Sequence, residues 1–234
     1  MKKALIFVLT FVFLLYARDT YAASKYWVGG TANWDGTAGT KWASSSGGAG
    51  GQAIPTSSDN CFFDSLSGST TVTIATGNTG CGSISFSGFT GTLAGSAAIN
   101  ISGSLTLASG MTRTYTGTIT FNATSGTSTI TSNGKALDSS ITFNGVGGAW
   151  QLGDDMTTGS SRTVTLTNGA FDANNHNITM GIFSSSNSNA RTIIMGSGTW
   201  TLTGSGTTRW TTSTVTNLSF SRGNDVVLNY SGST

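Results

Sequence analysis

A three-residue step, apolar then polar then apolar, recurs from Val72 almost to the C-terminus and restricts the fold more than anything else in the chain. Val72-Thr73-Ile74, Ile84-Ser85-Phe86, Ile99-Asn100-Ile101, Leu105-Thr106-Leu107, Ile119-Thr120-Phe121, Ile141-Thr142-Phe143, Trp150-Gln151-Leu152, Val164-Thr165-Leu166, Ile178-Thr179-Met180, Trp200-Thr201-Leu202 and Leu218-Ser219-Phe220 all have this form. Alternation with period two marks a strand with one buried and one solvated side. The residues Arg162 to Met180 show the whole unit. Val164 and Leu166 alternate with threonines, Asn168-Gly169 interrupts, Ala170-Phe171 make a second step, Asp172 to Asn177 form a polar turn, and Ile178-Thr179-Met180 resume. Strand, corner, strand, corner and strand thus fill about one rung of a coil.

Two Ile-Thr-Phe steps begin 22 residues apart, at Ile119 and Ile141. A period of roughly 20–25 residues suits a coil with two or three strands per turn. The sequence therefore predicts an all-β chain, a single-stranded parallel β-helix (β-solenoid) over residues 71–234. The competing fold is an antiparallel β-sandwich, for which Asn133-Gly134 and Asn168-Gly169 are the best hairpin signals. The steps are shorter than the five or six residues usual for sandwich strands, which favours the coil.

Charge is scarce. Charged residues make up 9% of the chain, against roughly 25% in ordinary soluble domains, and there is no glutamate. Lys2 and Lys3, the apolar run Ala4 to Tyr16, and Thr20-Tyr21-Ala22 read as a signal peptide over residues 1–22. The apolar run falls short of the roughly 18 residues wanted for a membrane span, so no integral span is expected after cleavage. From residue 23 onward eight basic and eight acidic residues balance, and without a basic stripe a nucleic-acid partner is not expected. The predicted address is secreted or cell surface. Cys61 and Cys81 would then lie in an oxidising compartment, and their spacing of 20 is close to one turn, which points to a disulfide between neighbouring rungs.

Residues 23–70 differ from the rest. Trp27, Trp34 and Trp42 sit among glycines that argue against a helix, so the segment is expected to be a Trp-rich cap on the open end of the coil. An aromatic platform for sugars is the alternative. The C-terminal end of the solenoid is expected to be incomplete, because Val226 to Tyr230 is still a strand pattern, and an open strand edge invites end-to-end self-association.

Tyr26-Trp27-Val28-Gly29-Gly30-Thr31-Ala32-Asn33-Trp34-Asp35, Lys41-Trp42, Pro55-Thr56-Ser57-Ser58-Asp59 and Phe62-Phe63-Asp64 resemble the N-terminal Trp-Val-Gly-Gly module of secreted bacterial and phage-associated β-solenoid surface proteins. Those include proteins with autotransporter-associated β-strand repeats. Beyond residue 64 the likeness is one of repeat style. The resemblance implies an extracellular β-solenoid and carries no single activity with it. The chain departs from an autotransporter in showing no membrane-barrel segment.

Candidate chemistry is thin. His176, the one histidine, lies in the polar turn Asn174 to Asn177, without the oriented partner a catalytic base needs. Asp154-Asp155 is the one adjacent acidic pair, but neighbours on a strand point to opposite sides; a polysaccharide hydrolase or lyase would need Asp154, Asp155 and Asp172 to converge in one groove. No zinc set exists, and one carboxylate at Asp172 is too few for calcium. No catalytic residue, metal or cofactor is therefore assigned. Trp210, beside Arg209 and without apolar neighbours, is the candidate ligand contact, able to stack on a sugar ring, the alternative being a rung-corner Trp that covers the core. Thr-x-Thr pairs at Thr118/Thr120, Thr163/Thr165, Thr199/Thr201 and Thr214/Thr216 would make an ice-binding surface if stacked in register, although β-propensity alone explains them. The expected function is an extracellular structural or adhesive surface protein. A glycan-binding module or phage-type receptor-binding fibre is the alternative, with extracellular polysaccharide or cell-surface glycan as partner.

Overall fold

The computed structural model describes residues 22–37, 39–75, 79–205, 207–221 and 228–230. The leader expected over residues 1–22 lies outside these, apart from Ala22. Among the described residues the regular structure is β throughout, save for one 3₁₀ turn at Ser65–Ser67. None forms a helix long and apolar enough to cross a membrane.

The strands stack in parallel as three ladders, visited in the same order on each turn of the coil. Face 1 carries Asn60–Phe62, Ile84–Ser85, Leu105–Thr106, Thr127–Thr131, residues 149–152 and 170–172, Arg191–Ile194 and Leu218–Ser221. Face 2 carries Ala32–Trp34, Thr71–Ile74, Thr92–Gly95 and Thr112–Arg113, then Met156–Thr157, Ile178–Met180, Trp200–Leu202 and Leu228–Tyr230. Between its two halves the Leu137 N–H donates to Thr157 O at 2.7 Å and carries the ladder across. Face 3 carries Thr79–Cys81, Ile99–Ile101, Ile119–Phe121, residues 141–143 and 163–166, Ile182–Ser184 and Trp210–Thr211. This is a three-sided parallel β-solenoid. The sandwich is excluded: among the described residues the one antiparallel pairing joins Tyr26-Trp27 to Trp42-Ala43.

The repeated step produces this stacking directly. In a parallel ladder each residue meets its counterpart one rung away, so the two apolar positions of each step form continuous inward columns. Ile99, Ile119, Ile141 and Val164 make one; Ile101, Phe121, Phe143 and Leu166 make the next. Phe143 stacks on Phe121 at 5.3 Å and on Phe171 of face 1 at 4.7 Å. Such aromatic pairs contribute about 0.5–1.5 kcal/mol beyond the area they bury.

The Asn-Gly pairs bend rungs rather than closing hairpins. Asn133 and Gly134, with φ of 48° and 77°, turn the corner from face 1 to face 2. Asn168-Gly169 does not break its strand as expected: Thr163–Asp172 runs on through it, from face 3 to face 1, with Gly169 at φ 83°. Ile141–Leu152 makes the same passage, and the register between the two slips on either side of Asn144. At Gly145 the inner side of this corner leaves no room for a side chain, since a Cβ there would lie 1.7 Å from Ala123 O.

At the N-terminal end Trp27, Trp34 and Trp42 are at most 2% exposed. Trp42 meets the edges of Trp27 and Trp34 at 5.2 and 5.3 Å, and all three pack around Phe63, which stacks on Phe86 at 4.6 Å. Three tryptophans this deeply buried are core packing, so they offer sugars no platform. Asp64 caps the 3₁₀ turn by accepting from the Leu66 and Ser67 N–H groups, and the Ser67 hydroxyl donates to Trp27 O at 2.8 Å. Cys61 and Cys81 form a disulfide with Cα atoms 6.0 Å apart. It does not join neighbouring rungs of one face. Cys61 lies on face 1 at the start of a turn and Cys81 on face 3 at its end, because the ladders pair Cys61 with Ile84 and Cys81 with Ile101.

Candidate functional site

Asp154 and Asp155, two of the side chains considered for catalysis, are occupied in joining rungs. Asp154 accepts from Ser132 N at 2.7 Å, from the Ser132 hydroxyl at 3.1 Å and from Asn133 N at 2.5 Å, all on the preceding rung. Asp155 turns to the following rung, accepting from Asn177 N at 2.9 Å and Asn177 Nδ2 at 3.0 Å. Those two bonds hold the Asp155 carboxyl below the usual carboxylate range, with His176, whose Nδ1 is 3.6 Å away, adding to the effect. Asn177 in turn accepts from Thr199 N at 2.9 Å. Asp172 accepts from Asn174 N at 2.7 Å within its own turn. The adjacent acids are thus divided between two rungs, and an amide ladder rather than a reactive pair occupies this corner.

Two arginines are structural for a different reason. Arg191 is 2% exposed; its guanidinium donates to Ser185 O, to the Ser185 hydroxyl at 3.1 Å, and to Asn189 O, Thr214 O and Thr216 O at 2.9, 3.1 and 2.8 Å. No carboxylate among the described residues pairs with it. Carbonyl dipoles stand in for a counter-ion, which ties the loops between faces 3 and 1 into one cluster. Arg113 lies 5.4 Å over the ring of Tyr115 and donates to the Ser139 hydroxyl at 2.5 Å. Burial lowers its pKa to about 10 and raises that of Tyr115, whose hydroxyl donates to Ala97 O at 2.8 Å.

Trp210 does not stand out alone as expected. Face 3 pairs it with Phe183, placing it in the inward column, where the two rings lie 4.4 Å apart at 30° with Trp200 at 5.7 Å and Phe220 at 6.2 Å. Half-buried, it continues the core. The Arg209 Nε–H donates to Gly204 O. Local sequence showed Trp210 without apolar neighbours because its ring neighbours come from other strands. Trp150 and Trp200 are fully buried.

Two surfaces remain, of which the first had no signal in the linear sequence and the second had one only in its Thr-x-Thr pairs. The corner between faces 3 and 1 opens into a groove of about 380 Å³. Gly147, Gly148, Ala149, Gly169, Ala170 and Ala190 line one stretch of it, and Arg191, Thr192, Asn217 and Ser219 the rest. Ala149, Ala170, Thr192 and Ser219 are register partners, so the groove crosses successive rungs, along the coil. None of Asp154, Asp155, Asp172, Arg209 or Trp210 lines it. Among the described residues no three His, Cys, Asp or Glu side chains are grouped to hold a metal. The second surface is the outer side of face 3, where Asn100, Thr120, Thr142, Thr165, Ser184 and Thr211 are register partners in one row.

Comparison of the chain with protein-family models, with curated proteins and with solved structures finds no match.

Proposed function

We propose that this is a secreted structural or adhesive surface protein that displays a rigid β-solenoid and holds neutral glycan chains in the groove between faces 3 and 1. One observation carries the reading. Asp154, Asp155, Arg113 and Arg191 are committed to joining rungs, and what face 3 turns outward is a repeated row of hydroxyl and amide groups. Surfaces of this kind make many weak polar contacts, and repetition along a stiff rod converts weak contacts into avidity. The signal-like leader, the Cys61–Cys81 bridge and the Trp-Val-Gly-Gly resemblance support an extracellular setting.

The groove supports a glycan partner through its direction and chemistry. It lies along the coil axis, as a chain-like ligand requires, and its floor of glycine and alanine lets a pyranose approach the backbone. Thr192, Asn217 and Ser219 supply hydroxyl and amide groups at one end. The test is native affinity electrophoresis of residues 23–234 through gels carrying a panel of bacterial and plant polysaccharides, with Ala170→Tyr to fill the groove. Retardation by a polysaccharide, abolished in Ala170→Tyr but kept in Trp210→Phe, is expected. A cleared zone would make the chain an enzyme. Unretarded migration on every gel would remove the glycan and leave the structural rod.

A further inference from the structure

The outer side of face 3 holds a two-dimensional array of hydroxyl groups that the groove does not use. Thr120, Thr142 and Thr165 are consecutive register partners. Two residues earlier, Thr118 and Ser140 immediately precede their strands and Thr163 begins its own, and the three fall in a second row because Ile119, Ile141 and Val164, which follow them, are partners. Two of the Thr-x-Thr pairs visible in the sequence, Thr118/Thr120 and Thr163/Thr165, therefore lie two rungs apart, and Ser140-Ile141-Thr142 fills the place between them.

Strand pairing fixes the spacing of this array. Rows repeat about every 4.8 Å across the rungs and about every 6.7 Å along a strand. The intervening Ile119, Ile141 and Val164 are at most 4% exposed and packed in the core, which holds the strands that carry the hydroxyls. All six outward side chains except Thr118 are half-buried, so they lie flush with their neighbours rather than projecting. None carries a charge or an aromatic ring.

That chemistry selects among partners. Nucleic acid needs cations to neutralise phosphates, protein interfaces centre on Trp, Tyr and Arg anchors, and a flat sugar lattice, unlike a single chain enclosed by a groove, needs aromatic rings to stack on. The array offers none of these. It offers a hydroxyl at every point, that of Ser140 also accepting from Thr163 N at 3.4 Å, and each threonine adds a methyl group that water can surround but not bond. Repeated on a rigid lattice in two directions, such groups order a sheet of water in place, and a solid with its own two-dimensional repeat gains most from that. We infer that face 3, centred on Thr142, binds ice.

The inference goes beyond the glycan reading and does not need it: a protein that ignores every polysaccharide can still adsorb to a crystal of water. The test measures ice recrystallisation inhibition and thermal hysteresis of residues 23–234, with melting followed by circular dichroism as the check on folding. Thr142→Tyr places a ring above the centre of the array at a site where a β-favouring residue is tolerated. Thr179→Tyr does the same on face 2, where Thr157, Thr179 and Thr201 are partners in a single row. The wild type is expected to inhibit recrystallisation, Thr142→Tyr to lose the effect with melting unchanged, and Thr179→Tyr to keep it. Absence of any ice activity in the folded wild type overturns the inference, as does equal activity in Thr142→Tyr and wild type. Sedimentation with crystalline cellulose or chitin in place of ice activity overturns it in favour of a polysaccharide lattice. If Thr142→Tyr melts early, Thr120→Val and Thr165→Val, which keep shape and remove only hydroxyls, decide the matter by the same readout.

Discussion

Reducing the Cys61–Cys81 bridge should loosen the first turn of the coil and leave the rest standing. The bridge closes a loop of 20 residues, and the chain-entropy expression for a loop of that length gives about 3 kcal/mol at 25 °C. Replacing both cysteines by alanine adds a packing loss, because both sulfurs are fully buried; two methyl-sized voids cost about 1 kcal/mol each. The reduced wild type is therefore expected to lose about 3 kcal/mol and Cys61→Ala/Cys81→Ala about 5 kcal/mol. In a solenoid, stability is approximately a sum over rungs and their interfaces, so the loss stays local unless coupling between rungs is strong. Tryptophan placement makes this observable. Trp27, Trp34 and Trp42 report the N-terminal layer, while Trp150 and Trp200 report distant rungs. Urea unfolding followed by tryptophan fluorescence, with Trp150→Phe and Trp200→Phe used to assign the signal, should show the N-terminal transition moving to lower urea on reduction and the later one staying. A reduced wild type whose early transition moves by less than about 0.5 kcal/mol would show that loop closure contributes nothing here.

Gly145→Ala should destabilise by about 3 kcal/mol or more, because the new Cβ would lie 1.7 Å from a backbone oxygen of the previous rung that cannot swing aside. Gly36→Ala, where a Cβ meets nothing within 4 Å, should leave the thermal midpoint unchanged, and an equal effect of the two would refute the steric account. Acid should weaken the fold through Asp35, Asp138 and Asp155, whose pKa values are lowered chiefly by hydrogen bonds from Thr37 N, Arg162 and Asn177 respectively. A carboxylate with a depressed folded-state pKa stabilises above its unfolded value and loses that contribution as pH falls. The melting temperature should accordingly be flat from about pH 5 to pH 8 and fall below about pH 4. Asp138→Asn, measured by the same melts, should remove part of that fall.

The sequence made the inward half of this fold legible and hid the outward half, for one physical reason. Alternation is local, so Val164-Thr165-Leu166 shows by itself which residues face the core. Lateral partnership is not local. Successive rungs on face 3 start at Ile99, Ile119, Ile141, Val164 and Phe183, separations of 20, 22, 23 and 19 residues. The corners absorb that variation, and no fixed period aligns Thr120 with Thr165. Trp210 looks isolated in the sequence on the same ground, since Phe183, its ring partner, belongs to the previous rung. The bridge between Cys61 and Cys81 was read from spacing and export alone, and its placement across faces needed the register that spacing could not supply.

Variable corners also explain where function can reside on such a coil. An inward residue is constrained by the columns above and below it, and a corner residue such as Asn177 by hydrogen bonds to both neighbouring rungs. Only the middle of an outer face and the open corner between faces 3 and 1 escape both constraints. A substitution there changes what the rod touches without changing how it stacks. Ala170 and Thr142 occupy those two places, so one bulky residue at each separates a groove that holds a chain from a face that holds a lattice. If both variants fold and neither alters any binding, the outer rows are β-propensity alone and the rod is purely structural.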